Sequence, residues 1–210
     1  MKAWIFTGGP VCAAHITARP DKDDLCIAAD AGLVTARSLG VSVSAVVGDY
    51  DSLGARPDVG PDVEVVTVPT EKDVTDTQLA VEYALKRGAR ELCIVGGLGG
   101  RLDHTLSNLA ILEDTLARGV RTVIEDGYNR VRLLHNDSTI LPRSNYRYVS
   151  LLSLDEKAKG VEIDGVKYPL KKATLHRALQ YAVSNEITGN CCFIAVRRGK
   201  LLIVESRDMS

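Results

Sequence analysis

Hydrophobic and polar residues alternate in two different ways along the chain, and the change falls near residue 127. Up to residue 126, short apolar runs are separated by three helix-like segments, each followed by a glycine. Glycine accepts the left-handed backbone that often ends a helix. The pattern predicts βαβ units and an α/β domain over residues 1–126, with a mostly parallel, Rossmann-like sheet. The predicted strands are 3–7, 25–28, 45–47, 63–68, 91–95 and 122–125, and the predicted helices are 31–39, 77–87 and 105–118, which end at Gly40, Gly88 and Gly119.

Beyond residue 126 the chain consists of strand-like runs broken by tight turns. Asp164-Gly165 and Arg198-Gly199 each lie between apolar-alternating flanks. A two-residue Asp-Gly loop favours a hairpin because both turn positions need positive φ. We therefore expect residues 127–210 to form an antiparallel, all-β C-terminal domain. The predicted strands are 130–134, 146–154, 161–163, 166–168, 193–197 and 201–205.

The amino-acid composition limits the classes of partner that the chain is expected to bind. The chain has 210 residues, 45% hydrophobic and 25% charged, which is a globular composition with a buried core. The net charge is -1 and the basic residues are scattered, so neither nucleic acid nor a membrane surface is an expected partner. No apolar stretch approaches the roughly 20 residues that cross a bilayer, and the first apolar run is too short for a signal peptide.

The number and spacing of cysteine and histidine residues indicate the cellular compartment of the protein and the kind of metal that it could bind. The five cysteines are an odd number without Cys-x-x-Cys spacing, which indicates reduced thiols and a cytoplasmic location. The four histidines never occur at the three- or four-residue spacing of a helical metal site, so zinc is disfavoured. Any metal is expected to be held by oxygen.

Four polar clusters follow predicted strands of the first domain. They are residues 29–32, 48–52, 71–76 and 96–104. In open α/β sheets, ligands bind beyond the carboxyl ends of the strands. We therefore expect the four clusters to converge on one rim.

Two of these clusters are acidic. Asp49 and Asp51 are two residues apart in an expected turn, and paired carboxylates suit Mg²⁺ with substrate phosphate as a further ligand. Asp73 and Asp76 flank the next helix start beside Lys72, whose charge suits phosphate. Helix capping by Asp76 or Thr75 is an alternative explanation for one of these acids, and a solvated turn is the alternative for the first pair.

The fourth cluster is rich in glycine. Residues 96–100 allow backbone N–H groups to approach an anion, and the helix that begins near Asp103 adds its dipole. Both common nucleotide fingerprints fail, because Leu102 stands where a Rossmann glycine is needed and no Lys-Ser or Lys-Thr follows. Arg101 offers a planar fork to phosphate. A flexible turn with Asp103 as N-cap remains the alternative.

Taken together, the motifs resemble the thiamine pyrophosphokinase family in order across nearly the whole chain. Each motif is weak alone, and the specificity comes from five of them in register. The motifs are Ala29-Asp30-Ala31-Gly32, Gly48-Asp49-Tyr50-Asp51-Ser52, Asp73-Val74-Thr75-Asp76, Gly99-Gly100-Arg101-Leu102-Asp103-His104 with Asn108, and Ser184-Asn185-Glu186 preceded by Gly165-Val166-Lys167-Tyr168-Pro169-Leu170.

The resemblance implies an enzyme that moves the terminal two phosphates of ATP onto the hydroxyl of thiamine, leaving AMP. It implies an α/β catalytic domain over 1–126, an all-β C-terminal sandwich domain that binds thiamine over 127–210, and a homodimer with active sites between subunits. By position, Asp49, Asp51, Asp73 and Asp76 are expected to hold Mg²⁺ and, with Asp103, to serve catalysis. Asp30, Lys72, Arg101, Asp103 and His104 are expected to bind the nucleotide, and Ser184 and Asn185 to bind thiamine; the general base is left open, with Asp76 and Asp103 as candidates.

Two other functions use the same acidic rim. A Mg²⁺-dependent phosphohydrolase or nucleotidyltransferase would act on water or on another alcohol. A non-catalytic nucleotide sensor would bind ATP and turn nothing over. The products formed from ATP and thiamine distinguish these alternatives.

Overall fold

A computed structural model describes residues 1–48, 59–67, 74–179 and 181–209. The chain separates into two compact units, Met1–Gly127 and Tyr128–Ser210. None of the helices in the described ranges is long and apolar enough to cross a membrane.

The first unit contains a sheet of parallel strands. The strand order is β6-β5-β1-β2-β3-β4, and every pairing recorded between these strands is parallel. Four of the strands are buried almost throughout, as expected where both faces of a parallel sheet are covered. The strands are β1 (Lys2–Phe6), β2 (Leu25–Ala29), β3 (Ala45–Gly48), β4 (Glu64–Thr67), β5 (Glu91–Val95) and β6 (Arg121–Glu125).

Three helices of the described chain pack on this sheet. They are α1 (Gly32–Ser38), α2 (Asp76–Lys86) and α3 (Leu102–Ala117). Helix α2 buries Ala80, Val81 and Ala84 against β2 and β3, whereas α3 packs on β6. The three glycines predicted to stop these helices have φ of 69°, 88° and 71°, which confirms the sequence-based helix ends to within one residue on that side.

The second unit consists of antiparallel strands in two sets. One set has the order β12-β9-β14-β7 and the other β11-β10-β13-β8. Side chains of both sets meet in one apolar core that includes Leu141, Leu151, Ile163, Ile194 and Leu201. The strands are β7 (Asn129–His135), β8 (Ser138–Pro142), β9 (Tyr148–Ser153), β10 (Lys157–Asp164), β11 (Leu170–His176), β12 (Asn185–Glu186), β13 (Cys191–Arg198) and β14 (Lys200–Ser206).

Two predictions about turns in this unit were wrong. Gly199 does not close a hairpin, because β13 pairs with β10 and β8 while β14 pairs with β7 and β9. The turn at Asp164-Gly165 does connect paired strands, but the last recorded pair is Ile163 with Leu170, so six residues separate the paired positions instead of two. Residues 166–168 therefore belong to the loop and not to a strand, apart from a single bridge between Val166 and Ile187.

Candidate functional site

A cavity of about 460 Å³ lies in the first unit, beyond the carboxyl ends of its strands. Four segments line it: residues 7–10 after β1, 29–31 after β2, 75–77 at the start of α2, and 96–108 from the end of β5 into α3. This is the edge of an open parallel sheet where ligands generally bind. The cavity therefore brings together three of the four polar clusters expected there.

Several predicted site residues lie outside the described residues. These are Asp49, Asp51, Lys72 and Asp73. No group of three or more His, Cys, Asp or Glu side chains suited to a metal occurs in the ranges that the structure describes. The acidic pair and the lysine thus stay sequence-based predictions.

Asp30 occupies an unusual position in the cavity wall. Its backbone is left-handed, with φ of 46°, and its N–H donates to the carbonyl of Val47 at 2.9 Å. Its Oδ1 is buried without a hydrogen-bond partner among the described residues. Leaving a carboxylate oxygen unpaired is costly, so this atom is available to a cation or to the hydroxyl of a ligand.

The loops around Asp30 pack so closely that only glycine fits. A Cβ added at Gly32 would lie 1.9 Å from the carbonyl oxygen of Phe6, and one added at Gly9 would lie 2.0 Å from that of Gly96. The loop after β1 is therefore pressed between the loops after β2 and β5. Close packing of this kind leaves backbone N–H groups as the natural lining for an anion.

Helix α2 begins at the cavity with a well-formed cap. Thr75 is the N-cap, and its hydroxyl accepts a hydrogen bond from the Gln78 N–H at 3.2 Å. Thr75 thus performs the capping that was the alternative explanation for this cluster. Asp76 is the first helical residue, is half-buried and lines the cavity, where the positive end of the helix favours its carboxylate.

Helix α3 supplies a cation and an anchoring amide. Arg101 is its N-cap residue, and Arg101, His104 and Asn108 line the cavity. The buried Asn108 side chain donates to the Gly97 carbonyl at 2.9 Å and so fixes the glycine-rich loop. Asp103 lies in the first turn and does not cap the helix, so the N-cap interpretation of this residue was wrong.

Arg101 and Asp103 form a forked ion pair. Nε donates to Oδ1 at 3.1 Å and Nη2 to Oδ2 at 2.5 Å. The Arg101 hydrogen bond lowers the pKa of the Asp103 carboxyl, and that carboxylate in turn raises the pKa of Arg101. Both side chains are largely exposed. Asp103 does not line the cavity, so in this arrangement it orients Arg101.

The two residues predicted to bind thiamine lie in the second unit. Asn185 is buried, and its amide is used by the backbone of Tyr168: the Tyr168 N–H donates to Oδ1 at 3.0 Å, and Nδ2 donates to the Tyr168 carbonyl at 2.7 Å. Ser184 is exposed at a left-handed backbone with φ of 56°, and its N–H donates to the Ser150 hydroxyl. Asn185 therefore fixes the loop that carries Tyr168, whose side chain is 63% exposed.

Sequence reasoning missed one element of the cavity and one role. Residues 7–10 line the cavity, and the sequence signal was Gly-Gly-Pro directly after a buried strand. Asn108 was included in a motif without a role, and its hydrogen bond to Gly97 supplies one. The first depends on how the loop after β1 meets segments far along the chain, and the second joins residues 11 apart across the start of a helix.

Comparison with known proteins places this geometry in a family. The model of the thiamin pyrophosphokinase catalytic domain matches residues 18–124, and the model of the thiamin pyrophosphokinase vitamin B1 binding domain matches residues 137–201. The chain belongs to the thiamin pyrophosphokinase family. The sequence-based resemblance is thereby confirmed.

Individual members of the family match over the whole chain. A thiamine pyrophosphokinase of Bacillus subtilis is 28% identical over 211 residues, which cover 97% of this chain and 98% of that protein. A crystal structure of thiamine pyrophosphokinase from Bacillus subtilis superposes with a TM-score of 0.87 at 25% identity, covering 100% of both chains. The thiamin pyrophosphokinase of Candida albicans shares the fold at 13% identity, with a TM-score of 0.74 over 98% of this chain and 89% of that one.

Proposed function

We propose that the protein is a thiamine diphosphokinase, which transfers the pyrophosphoryl group of ATP to the hydroxyl of thiamine and releases AMP. Membership of the thiamin pyrophosphokinase family, through matches in both halves of the chain, is the observation that carries this proposal. The hydrolase, nucleotidyltransferase and sensor alternatives are not favoured by any of these matches.

In this reaction the thiamine oxygen attacks the β-phosphorus of ATP. The bond from that phosphorus to the oxygen bridging the α- and β-phosphates breaks, AMP leaves, and the hydroxyl proton is lost. Pyrophosphoryl transfer of this type depends mainly on positioning and on neutralising charge. The described residues provide both: Arg101 carries a fixed positive charge, α2 and α3 present their N-termini, and glycine-rich loops offer backbone N–H groups.

We propose Mg²⁺ as the metal, held by Asp49, Asp51, Asp73 and Asp76. Of these, Asp76 is described and lines the cavity. The unpartnered buried oxygen of Asp30 nearby fits a site built for a hard cation or for a ligand bound to one. Bound Mg²⁺ would neutralise part of the charge on the transferred phosphates.

Of the two general-base candidates, Asp76 is better placed than Asp103, and it would act as base in a state where Asp49, Asp51 and Asp73 hold the Mg²⁺ and leave its carboxylate free. A base must reach the proton it accepts, and Asp76 lines the cavity whereas Asp103 does not. Asp103 is also paired with Arg101, which lowers the pKa of its carboxyl and makes it a weaker base. We propose that the triphosphate is bound by Lys72, Arg101 and His104. Asp30 is proposed to contribute to the nucleotide-binding part of the cleft.

For thiamine we propose a site built on the second unit. Ser184 is proposed to contact the substrate directly, and Asn185 to act through the loop of Tyr168 that it holds. Tyr168 is an exposed aromatic ring on a fixed loop, which suits stacking on a flat heteroaromatic ligand. This arrangement gives the Ser-Asn motif a positioning role as well as a binding role.

The remaining parts of the proposal concern architecture and setting. A Rossmann-like catalytic domain over 1–126 is supported by the parallel pairing of β1 to β6, and residues 127–210 are proposed as the thiamine-binding domain. A homodimer with active sites between subunits is supported by the exposure of Leu102 and Leu106 on α3, which are 70% and 58% exposed. A cytoplasmic location is supported by the five free cysteines.

The decisive test is product analysis. The protein is incubated with thiamine, ATP and MgCl₂, and thiamine diphosphate and AMP are quantified by chromatography. Equal amounts of the two products are expected. No AMP is expected when thiamine is omitted or when EDTA is present in excess over MgCl₂. Phosphate release without thiamine would instead indicate a hydrolase, and ATP binding without any product would indicate a sensor.

A further inference from the structure

A second cleft lies on the four-stranded sheet of the second unit, on the face opposite its apolar core. Its volume is about 730 Å³, and all of its lining residues belong to this unit. Strands β10, β11 and β13 contribute Lys159, Glu162, Lys172, Thr174, Phe193 and Arg197. The proposed reaction uses none of these side chains.

The cleft collects positive charge that has no internal partner. The side chains of Lys159, Lys172 and Arg197 line it, and none of these three side chains makes a hydrogen bond or ion pair with another side chain in the described ranges. Glu162 and Asp137 also line the cleft, and the Asp137 carboxylate accepts from the Ser138 N–H at 2.7 Å, so three cationic and two anionic side chains leave the cleft with a net charge of +1. Three unpaired cations around one concavity are stabilised by a bound oxyanion.

Two β-bulges create this arrangement. Lys159 lies opposite Thr174, Val161 opposite Ala173 and Ile163 opposite Leu170. Strand β10 therefore carries one extra residue at Gly160, and β11 carries one extra residue just after Leu170, at Lys171 or Lys172. Bulges re-aim side chains and are common beside functional sites.

The bulge on β11 contains a lysine where the backbone favours glycine. Lys172 has φ of 49°, in the left-handed region that few non-glycine residues adopt without cost. The bulge on β10 has glycine at the corresponding place, with φ of 64°, and a Cβ added at Gly160 would lie 2.8 Å from the Arg197 Cβ. The glycine in the β10 bulge thus leaves room for the side chain of Arg197. The β11 bulge carries the cation Lys172 in the cleft despite backbone strain.

An aromatic ring completes the lining. Phe193 lines the cleft with 40% of its surface exposed, and Ile140, 66% exposed, lies directly across from it on β8. Exposed apolar groups beside unpaired cations match a ligand with a charged end and a flat apolar end.

We propose that this cleft binds a small organic phosphate, with its oxyanion held by Lys159, Lys172 and Arg197 and its flat apolar part lying on Phe193. Thr174 supplies a hydroxyl for the same oxyanion. This binding site is independent of the proposed transfer reaction, and failure of one does not affect the other.

The test uses the full chain labelled with ¹⁵N, titrated separately with sodium phosphate and with phenyl phosphate. Residue-resolved amide shifts distinguish this cleft from the cavity of the first unit, which also suits phosphate. Both probes are expected to shift amides of β10, β11 and β13, and phenyl phosphate is expected to bind about threefold to tenfold more tightly because of its ring. Absence of shifts on these strands with either probe overturns the proposal.

The decisive variant is Lys172→Gly, because it removes the cation and relieves the left-handed strain together. The midpoint of thermal unfolding is expected to stay level or rise, while affinity for both probes at the cleft falls about tenfold. Lys171→Ala is the matched control, since Lys171 is exposed on the same strand but does not line the cleft. An equal loss of affinity in both variants would mean a general charge effect and would refute a built site.

Phe193→Ala tests the apolar end. It is expected to abolish the advantage of phenyl phosphate over phosphate and to leave phosphate binding unchanged. If the same amides instead shift with protein concentration in the absence of either probe, the face is an interface between copies of the chain and the proposal is wrong.

Discussion

The predicted binding residues of the two units differ in whether their polar atoms have hydrogen-bond partners within the protein. In the first unit, Asp30 lies at the cavity wall with a buried oxygen that has no partner in the described chain. In the second, Asn185 is buried, but both ends of its amide are used by Tyr168. A polar residue in a motif can therefore bind a ligand directly, or it can fix the loop that contacts the ligand. Whether its polar atoms already have hydrogen-bond partners within the protein distinguishes the two roles.

The largest expected effect comes from the packing that supports the first kind of residue. In Gly32→Ala the new methyl would lie 1.9 Å from the Phe6 carbonyl oxygen, so β1, α1 or both must move. We expect the free energy of unfolding to fall by about 3 kcal/mol, measured by urea denaturation, and AMP formation to be lost. Gly60→Ala is the control, because nothing lies within 4 Å of its added methyl. A stable, active Gly32→Ala protein would contradict the tight apposition of these loops.

Asp30→Asn tests the unpartnered oxygen. Asparagine also tolerates the left-handed backbone of this position, so the change removes charge with little effect on backbone preference. We expect kcat/KM for AMP formation to fall about a hundredfold or more, with a thermal unfolding midpoint that is unchanged or higher. A variant that loses stability while keeping activity would show that Asp30 serves the fold and would remove the contrast with Asn185.

Asn185→Ala tests the other side of the comparison. It leaves the Tyr168 N–H and carbonyl without their partners, so the free energy of unfolding should fall by about 1–3 kcal/mol. The KM for thiamine is expected to rise about tenfold while the KM for ATP stays constant, since the loop and not the ATP cavity is disturbed. Ser184→Ala, which removes only an exposed hydroxyl, should affect the thiamine KM without this loss of stability. Equal rises in both KM values for Asn185→Ala would refute the positioning role.

The smallest effect concerns two of the three buried thiols, Cys26 in the first unit and Cys192 in the second. Burial, with a contribution from Asp24, raises the pKa of Cys26 from 9.0 to about 11, and burial with Glu205 and Cys191 raises that of Cys192 to about 11. These shifts favour the folded state at low pH and lose that effect as pH rises from 9 through 11. At pH 8 each thiolate is about a hundredfold scarcer than for an ordinary thiol, so iodoacetamide should label exposed Cys191 first. Mass spectrometry of the labelled peptides checks the order, and early labelling of Cys26 would contradict its burial.

Much of the first unit could be predicted because its signals are local. Buried parallel strands appear in the sequence as continuous apolar runs, and the helices end at glycines. Because ligands bind beyond the carboxyl ends of such strands, the pattern alone predicts one rim for Asp30, Asp76, Arg101 and His104, which all line the cavity. The close approach of Gly9 to Gly96 was not predictable, because it depends on how two distant loops meet.

The second unit was harder to predict for physical reasons. Strands β8 and β11 lie at the edges of their sheet and carry lysine, proline and hydroxyl residues, which blur the alternation that identifies a strand. Arg198-Gly199 was interpreted as a hairpin because a local turn signal does not reveal which sheet the next strand joins. The role of Asn185 was equally hidden, since its partner Tyr168 lies 17 residues away.

The turn at Gly199 has a consequence for how the protein is made. Residues 191–206 supply β13, which lies between β10 and β8, and then β14, which lies between β9 and β7. One short segment thus supplies an inner strand to both sets of antiparallel strands in the second unit. During synthesis neither set of strands can be complete until this segment has emerged, whereas all the strands of the first unit precede it along the chain.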